Sequence, residues 1–119
     1  MEENMAADYV LFIGWNRAIP GREKAALELF REAQAFYSEQ KASGQITSFE
    51  SVILSAHGGD LNGFILVKGE QAKLDALQHS DKFQDLTTKV VHNVQGVGVI
   101  RGWSGESLTS QVQRYANVI

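Results

Sequence analysis

The chain contains no cysteine, which removes disulfides, thiolate nucleophiles and zinc–sulfur centres from consideration. Its only proline is Pro20, so the long periodic stretches downstream lack the residue that most strongly breaks helices and strand ladders. No apolar run approaches the ~20 residues that span a bilayer. The opening Met1-Glu2-Glu3-Asn4-Met5 is short and acidic, unlike a secretion signal. Basic residues do not gather into a stripe: Arg17, Arg22, Lys24, Arg31 and Lys41 are scattered, and the net charge is −3. Nucleic-acid binding then lacks its electrostatic attraction. These absences predict a cytoplasmic protein of a reducing compartment, with neither a membrane nor a nucleic acid as partner. What is present is ordinary for a globular chain, 44% hydrophobic and 21% charged. The length fits a single domain, residues 1–119, able to bury its own core.

Tyr9 to Trp15 is a continuous apolar run rich in β-formers and predicts a first strand. After Pro20-Gly21, a helical pattern runs from about Gly21 to Ala42. Its stripe is Ala26, Leu27, Phe30, Ala33, Phe36 and Tyr37, and Gly44 ends it. Ile46 to Ser55 alternates and predicts a second strand. His57-Gly58-Gly59-Asp60 signals a tight turn, and Leu61 to Lys68 a third strand. Two short helices follow. The first covers about Glu70 to His79 with Ala72, Leu74 and Leu77 inward. The second begins at Ser80-Asp81, either of which can cap it, and carries Phe83, Leu86 and Val90. Val94 to Trp103 predicts a fourth strand with glycines at 96, 98 and 102. A last helix, about Glu106 to Asn117, aligns Leu108, Val112 and Tyr115.

The order β-α-β-β-α-β plus a C-terminal helix predicts an α+β fold, the ferredoxin-like split βαβ sandwich, with strands one and three central. Both central strands are apolar on both faces, as in Val10-Leu11-Phe12-Ile13. Helices cover only one face of such a sheet. The other needs burial too, since each exposed side chain forgoes roughly 1.5–3 kcal/mol. A second copy packed sheet against sheet supplies that cover, so the expected assembly is a homodimer, a dimeric α/β barrel. A C-terminal helix folded over the open face is the alternative.

Three stretches carry a resemblance: Gly14-Trp15-Asn16-Arg17, His57 through Phe64, and Gly96-Val97-Gly98-Val99 leading to Arg101-Gly102. With them the whole chain resembles uncharacterised members of the ferredoxin-like dimeric α/β-barrel superfamily. That superfamily also includes cofactor-free and haem-degrading monooxygenases. The resemblance implies the fold and transfers no function by itself. Haem-degrading relatives combine an Asn on the first strand, a Trp on the third and a His on the helix after it. Here Asn16 lies beyond strand one and His79 ends the following helix, but strand three has no Trp. The set is incomplete.

For the site, strand one is expected to run parallel to strand three, with strands two and four opposed. That arrangement gathers Tyr9, His57, Asp60, Arg101 and Trp103 at one end of the sheet, and Trp15, Asn16, Lys68 and His92 at the other. In the first group, His57 and Asp60 are candidate catalytic residues, an imidazole oriented as general base by a carboxylate. Arg101 is a candidate anion anchor, and Tyr9 and Trp103 would frame an apolar ligand. The bland alternatives are a polar turn shaped by His57 and Asp60, an edge-strand charge at Arg101 and simple packing by Trp103. In the second group, His92 fits a helix C-terminus without any catalytic role, and so does His79.

If residues 58 and 59 form a two-residue turn, Glu50 faces residue 67 and should not partner Lys68; a three-residue turn reverses the parity. Glycines in strand four mark a close approach of backbone, ligand or packed helix. No phosphate loop, metal-ligand spacing or nucleophile elbow is found, and no cofactor is indicated. The sequence points to binding, with or without turnover, of a small apolar or anionic metabolite. A non-catalytic ligand sensor or dimeric assembly module is the alternative, and a haem-degrading monooxygenase-like protein a further one.

Overall fold

The structure, a computed structural model, describes residues 8–119; the acidic segment Met1–Met5 lies outside the described residues. The elements are β1 (Tyr9–Trp15), α1 (Glu23–Ala42), β2 (Ser48–Ile53), β3 (Gly63–Gly69), α2 (Gln71–His79), α3 (Asp81–Asn93), β4 (Gly98–Trp103) and α4 (Gly105–Val118). The sheet order is β2-β3-β1-β4, so the two doubly apolar strands are the central ones. Ser80 is the residue that caps α3, its Oγ accepting the Phe83 amide at 3.3 Å.

Directly paired residues share a face of the sheet. Leu11 faces Val67, Ile13 faces Ile65 and Phe49 faces Val67. These side chains look toward the helices, where Leu29, Ala33, Phe36 and Tyr37 of α1 and Leu74, Leu77, Phe83 and Leu86 of α2 and α3 complete the buried core. Leu29 is a core residue outside the stripe read from the sequence, whereas Leu27 of that stripe and Ala72, expected inward, are exposed. The opposite face carries Val10 and Phe12 of β1, Phe64 and Leu66 of β3, and Ile100 of β4, with Phe12 and Phe64 stacked at 5.0 Å between ring centres. No helix covers them. Gly98 and Gly102 pair with Gly14 and Val10 on this face, so they flatten the open side of the sheet and do not admit a helix.

Three expectations need correction. First, β1 and β3 are antiparallel, pairing Tyr9 with Gly69 and Trp15 with Gly63. The crossover through α1 makes β1 and β2 parallel, and the β2–β3 connection then reverses β3 between them. Second, that connection spans residues 54–62 and is no two-residue turn. It closes with Leu54 N–H to Asn62 O at 2.9 Å. Glu50 therefore faces Leu66 and Ser48 faces Lys68, which puts Glu50 and Lys68 on the same face. Third, β4 starts at Gly98 and not at Val94. Gly96 has φ +64°, a left-handed conformation that interrupts the strand, and Val94 instead makes an isolated bridge to Ala18.

α4 stands apart from the core. Its anchor is polar: Ser107 is 2% exposed, its hydroxyl donates to the Asp8 carbonyl and accepts the Ser104 amide at 3.2 Å. The Glu106 amide donates to the Asp8 carboxylate at 2.8 Å. Beyond that first turn Leu108, Val112 and Tyr115 are exposed, Tyr115 by 66%. The radius of gyration, 15.6 Å, exceeds the roughly 13.5 Å of a compact chain of this length, in keeping with a helix that projects.

Candidate functional site

Strand direction decides which predicted residues meet. Tyr9 pairs with Trp103 across β1 and β4, and Arg101 pairs with Leu11, so Tyr9, Arg101 and Trp103 do share one end of the sheet. His57 and Asp60 do not join them. Their loop lies against the far end of β1, where the Asn62 amide donates to the Trp15 carbonyl at 2.9 Å. The five residues form no common site, because an antiparallel β1–β3 pair sends the β2–β3 loop to the opposite end.

The local surroundings agree. His57 is exposed and its Nδ1–H donates to the Ser55 carbonyl at 2.8 Å, while the Asp60 carbonyl accepts Asn62 Nδ2 at 3.2 Å. These bonds stay within the loop. At the other end Tyr9, Arg101 and Trp103 border a hollow of about 340 Å³. The Arg101 guanidinium there meets the Asp75 carboxylate at 3.0 Å in an exposed ion pair. Of the second group, Lys68 pairs with Val10 and lies at the Tyr9 end, whereas Trp15 and Asn16 lie at the far end. The Asn16 side-chain Oδ1 accepts from Asn62 Nδ2 at 2.7 Å, and the His92 backbone carbonyl accepts from Arg22 at 3.2 Å.

A second, more apolar cavity is one the sequence reading did not single out. It measures about 320 Å³ and lies between the sheet and helices α1 and α3. Ile13, Trp15 and Ile65 supply the sheet side, and Ala33 and Tyr37 the α1 side. Leu86 and Val90 close it from α3, and Val94 and Val97 from the segment that Gly96 bends out of β4. Leu27 and Ile53, both strongly exposed for aliphatic residues, form its lip. No charged side chain lines it.

Trp15 fits because of a small neighbour. Its indole lies over Gly63, and a β-carbon at that position would sit 2.6 Å from the ring. Phe30 meets the indole edge-on, with ring centres 6.1 Å apart, the favoured aromatic geometry.

The lining residues whose side chains carry a polar group are Tyr37, Trp15 and Thr87. Tyr37 is 3% exposed, packed against Phe36 and Phe49, and desolvation by burial raises its phenol well above the ordinary value. Its hydroxyl is therefore a neutral donor and no base. It has no partner among the described residues, yet no fully buried side-chain polar atom goes unpaired; the oxygen keeps access to open space. The sequence reading placed Tyr37 in an apolar helix stripe, and a lone hydroxyl in that stripe was the signal available.

A haem does not match this lining. Neither Asn16 nor any histidine borders the cavity, and His79 uses Nδ1 to cap the Asp75 carbonyl at 2.7 Å. Among the described residues no cluster of three or more potential metal-ligating side chains occurs, and no helix is long and apolar enough to cross a membrane.

No family model matches the chain, and no curated protein does. Solved structures do match. A dimeric ferredoxin-like protein of unknown function from Jannaschia sp. aligns with TM-score 0.62 at 14% identity, over 79% of this chain and 97% of the other. A dimeric protein of unknown function with a ferredoxin-like fold, from Bacteroides fragilis, gives 0.57 at 11%, over 80% and 95%. A Caulobacter crescentus protein provisionally named an antibiotic biosynthesis monooxygenase gives 0.61 at 10%, over 87% and 96%. At such identities the likeness is one of fold: this chain has the ferredoxin-like α+β fold on which dimeric proteins of unknown function and monooxygenase-like proteins are built.

Proposed function

We propose that this protein binds a small, uncharged, largely apolar molecule in the cavity between its sheet and helices α1 and α3. The observation that carries the reading is the lining: about 320 Å³ bounded by aliphatic and aromatic side chains, with no charge. Ligand sites are characteristically apolar cavities of this order with few polar groups. An apolar cavity of about 150 Å³ takes up benzene, so one twice that size suits a molecule of one or two rings. The lining offers no carboxylate, imidazole or amine, which favours binding over proton-transfer chemistry by the chain's own residues. The monooxygenase-like name of one fold neighbour is compatible with an apolar organic ligand.

The working unit in this reading is a homodimer packed through the open sheet face. Phe12, Phe64, Leu66 and Ile100 lie there without cover, Ile100 being 59% exposed. Phe12, Phe64 and Leu66 are already partly buried, so covering each contributes less than the roughly 1.5–3 kcal/mol of full burial. Glu50 and Lys68 give the face a charged margin, as interfaces have.

The test is a thermal-shift screen of neutral one- and two-ring compounds. A ligand at 100 times its Kd stabilises by about 2.7 kcal/mol, which raises Tm by several degrees in a domain of this size. Ala33→Leu, which fills the cavity from α1, should abolish the shift. An undiminished shift in the folded variant would place binding elsewhere.

A further inference from the structure

The cavity's single deeply buried donor narrows the chemistry of its ligand. Tyr37 lines the cavity and is 3% exposed. Its hydroxyl lacks a partner among the described residues, though neighbouring polar side chains find one: the Ser51 hydroxyl, on the same face of the sheet, donates to Gln34 of α1. Among the described residues no buried side-chain polar atom is left unpaired, so this hydroxyl reaches open space where water can bond it. A ligand that displaces that water without offering an acceptor forfeits the bond. A ligand that fills the cavity therefore binds better if it brings an acceptor to replace water on this hydroxyl.

Resting on the reading of this cavity as the ligand site, we infer that the ligand carries one neutral hydrogen-bond acceptor, a ketone or similar carbonyl on an otherwise hydrocarbon frame, which accepts from the Tyr37 hydroxyl. An ionised acceptor is disfavoured, because no cation lines the cavity to offset its desolvation. The bond would fix which way a nearly featureless ligand enters, its carbonyl end inward toward Tyr37 and its hydrocarbon end toward the lip at Leu27 and Ile53.

The experiment compares 1-tetralone with tetralin, two bicyclic compounds of nearly equal shape that differ by one carbonyl, by calorimetric titration of wild type and Tyr37→Phe. Loss of one neutral hydrogen bond is expected to weaken tetralone severalfold, up to about tenfold, and to leave tetralin within twofold. Equal weakening of both, or no change in either, overturns the inference while the cavity stands. Failure of both compounds to bind wild type overturns the cavity reading and the inference with it. Circular dichroism of Tyr37→Phe, together with its retained affinity for tetralin, reports that the variant is folded.

Discussion

The Trp15 indole lies directly over Gly63, its paired residue on β3, with no room for a β-carbon between them. This contact sets the cavity's sheet side: the ring can lie flat only because its cross-strand neighbour has no side chain. Gly63→Ala forces the indole or the strand to move. A stability loss of about 1–3 kcal/mol is expected, as for other overpacked sites, together with a change in tryptophan emission. Denaturant unfolding followed by fluorescence measures both, and an alanine variant as stable as wild type would contradict the contact.

Phe12 stacks on Phe64 at the centre of the open sheet face. If a second copy covers that face, Phe12→Asp places two charges at the heart of the interface and yields a monomer. Light scattering at micromolar concentration should give twice the chain mass for wild type and the single mass for the variant. A monomeric wild type would refute the dimer.

The projecting helix α4 is tied down at its first turn by Ser107, whose hydroxyl bonds the Asp8 carbonyl. Ser107→Ala should cost about 0.5–2 kcal/mol, the range for losing a helix cap. The exposed Leu108, Val112 and Tyr115 suit a seat on the second copy. Removing residues 105–119 should therefore raise the dimer dissociation constant by more than Ser107→Ala does. Unchanged dissociation would leave the helix without a partner.

Tyr37 makes stability depend on alkaline pH in a predictable direction. Burial raises its folded-state pKa above the unfolded value near 10. Below that pH both states hold the proton and nothing changes. Above it the unfolded state releases the proton first, binds fewer protons than the native state, and gains by up to about 1.4 kcal/mol per pH unit. Urea unfolding at pH 9, 10 and 11 should show wild type losing stability relative to Tyr37→Phe only above about pH 10. Parallel curves would mean the phenol is not desolvated.

Much of the fold was legible because hydrophobic periodicity is a local property. The doubly apolar β1 and β3, the split α2–α3 pair and the helix end before Gly44 all follow from runs of neighbouring residues. The site was less legible because it depends on strand direction, which no local pattern reports. Reading β1 and β3 as parallel drew His57 and Asp60 toward Arg101, and one reversal of the chain between Ile53 and Gly63 separates them. The real cavity is built from residues that each look like core, such as Ala33, Ile65 and Leu86. What marks it is space left among them, which sequence does not display. The bend at Gly96, which turns Val94 and Val97 into the cavity wall, was read as strand for the same reason: an alternating Val-Gly pattern does not reveal the sign of φ.

The most direct test of the apolar cavity as the ligand site is a methyl-detected NMR titration of the protein with 1-tetralone. The account predicts saturable shifts confined to the methyl groups of Ile13, Ile65, Leu86, Val90 and Val97, with the methyls of Val10 and Leu74 beside Arg101 and Trp103 unmoved. Shifts centred on Val10 and Leu74, or no saturable shifts at all, would contradict it.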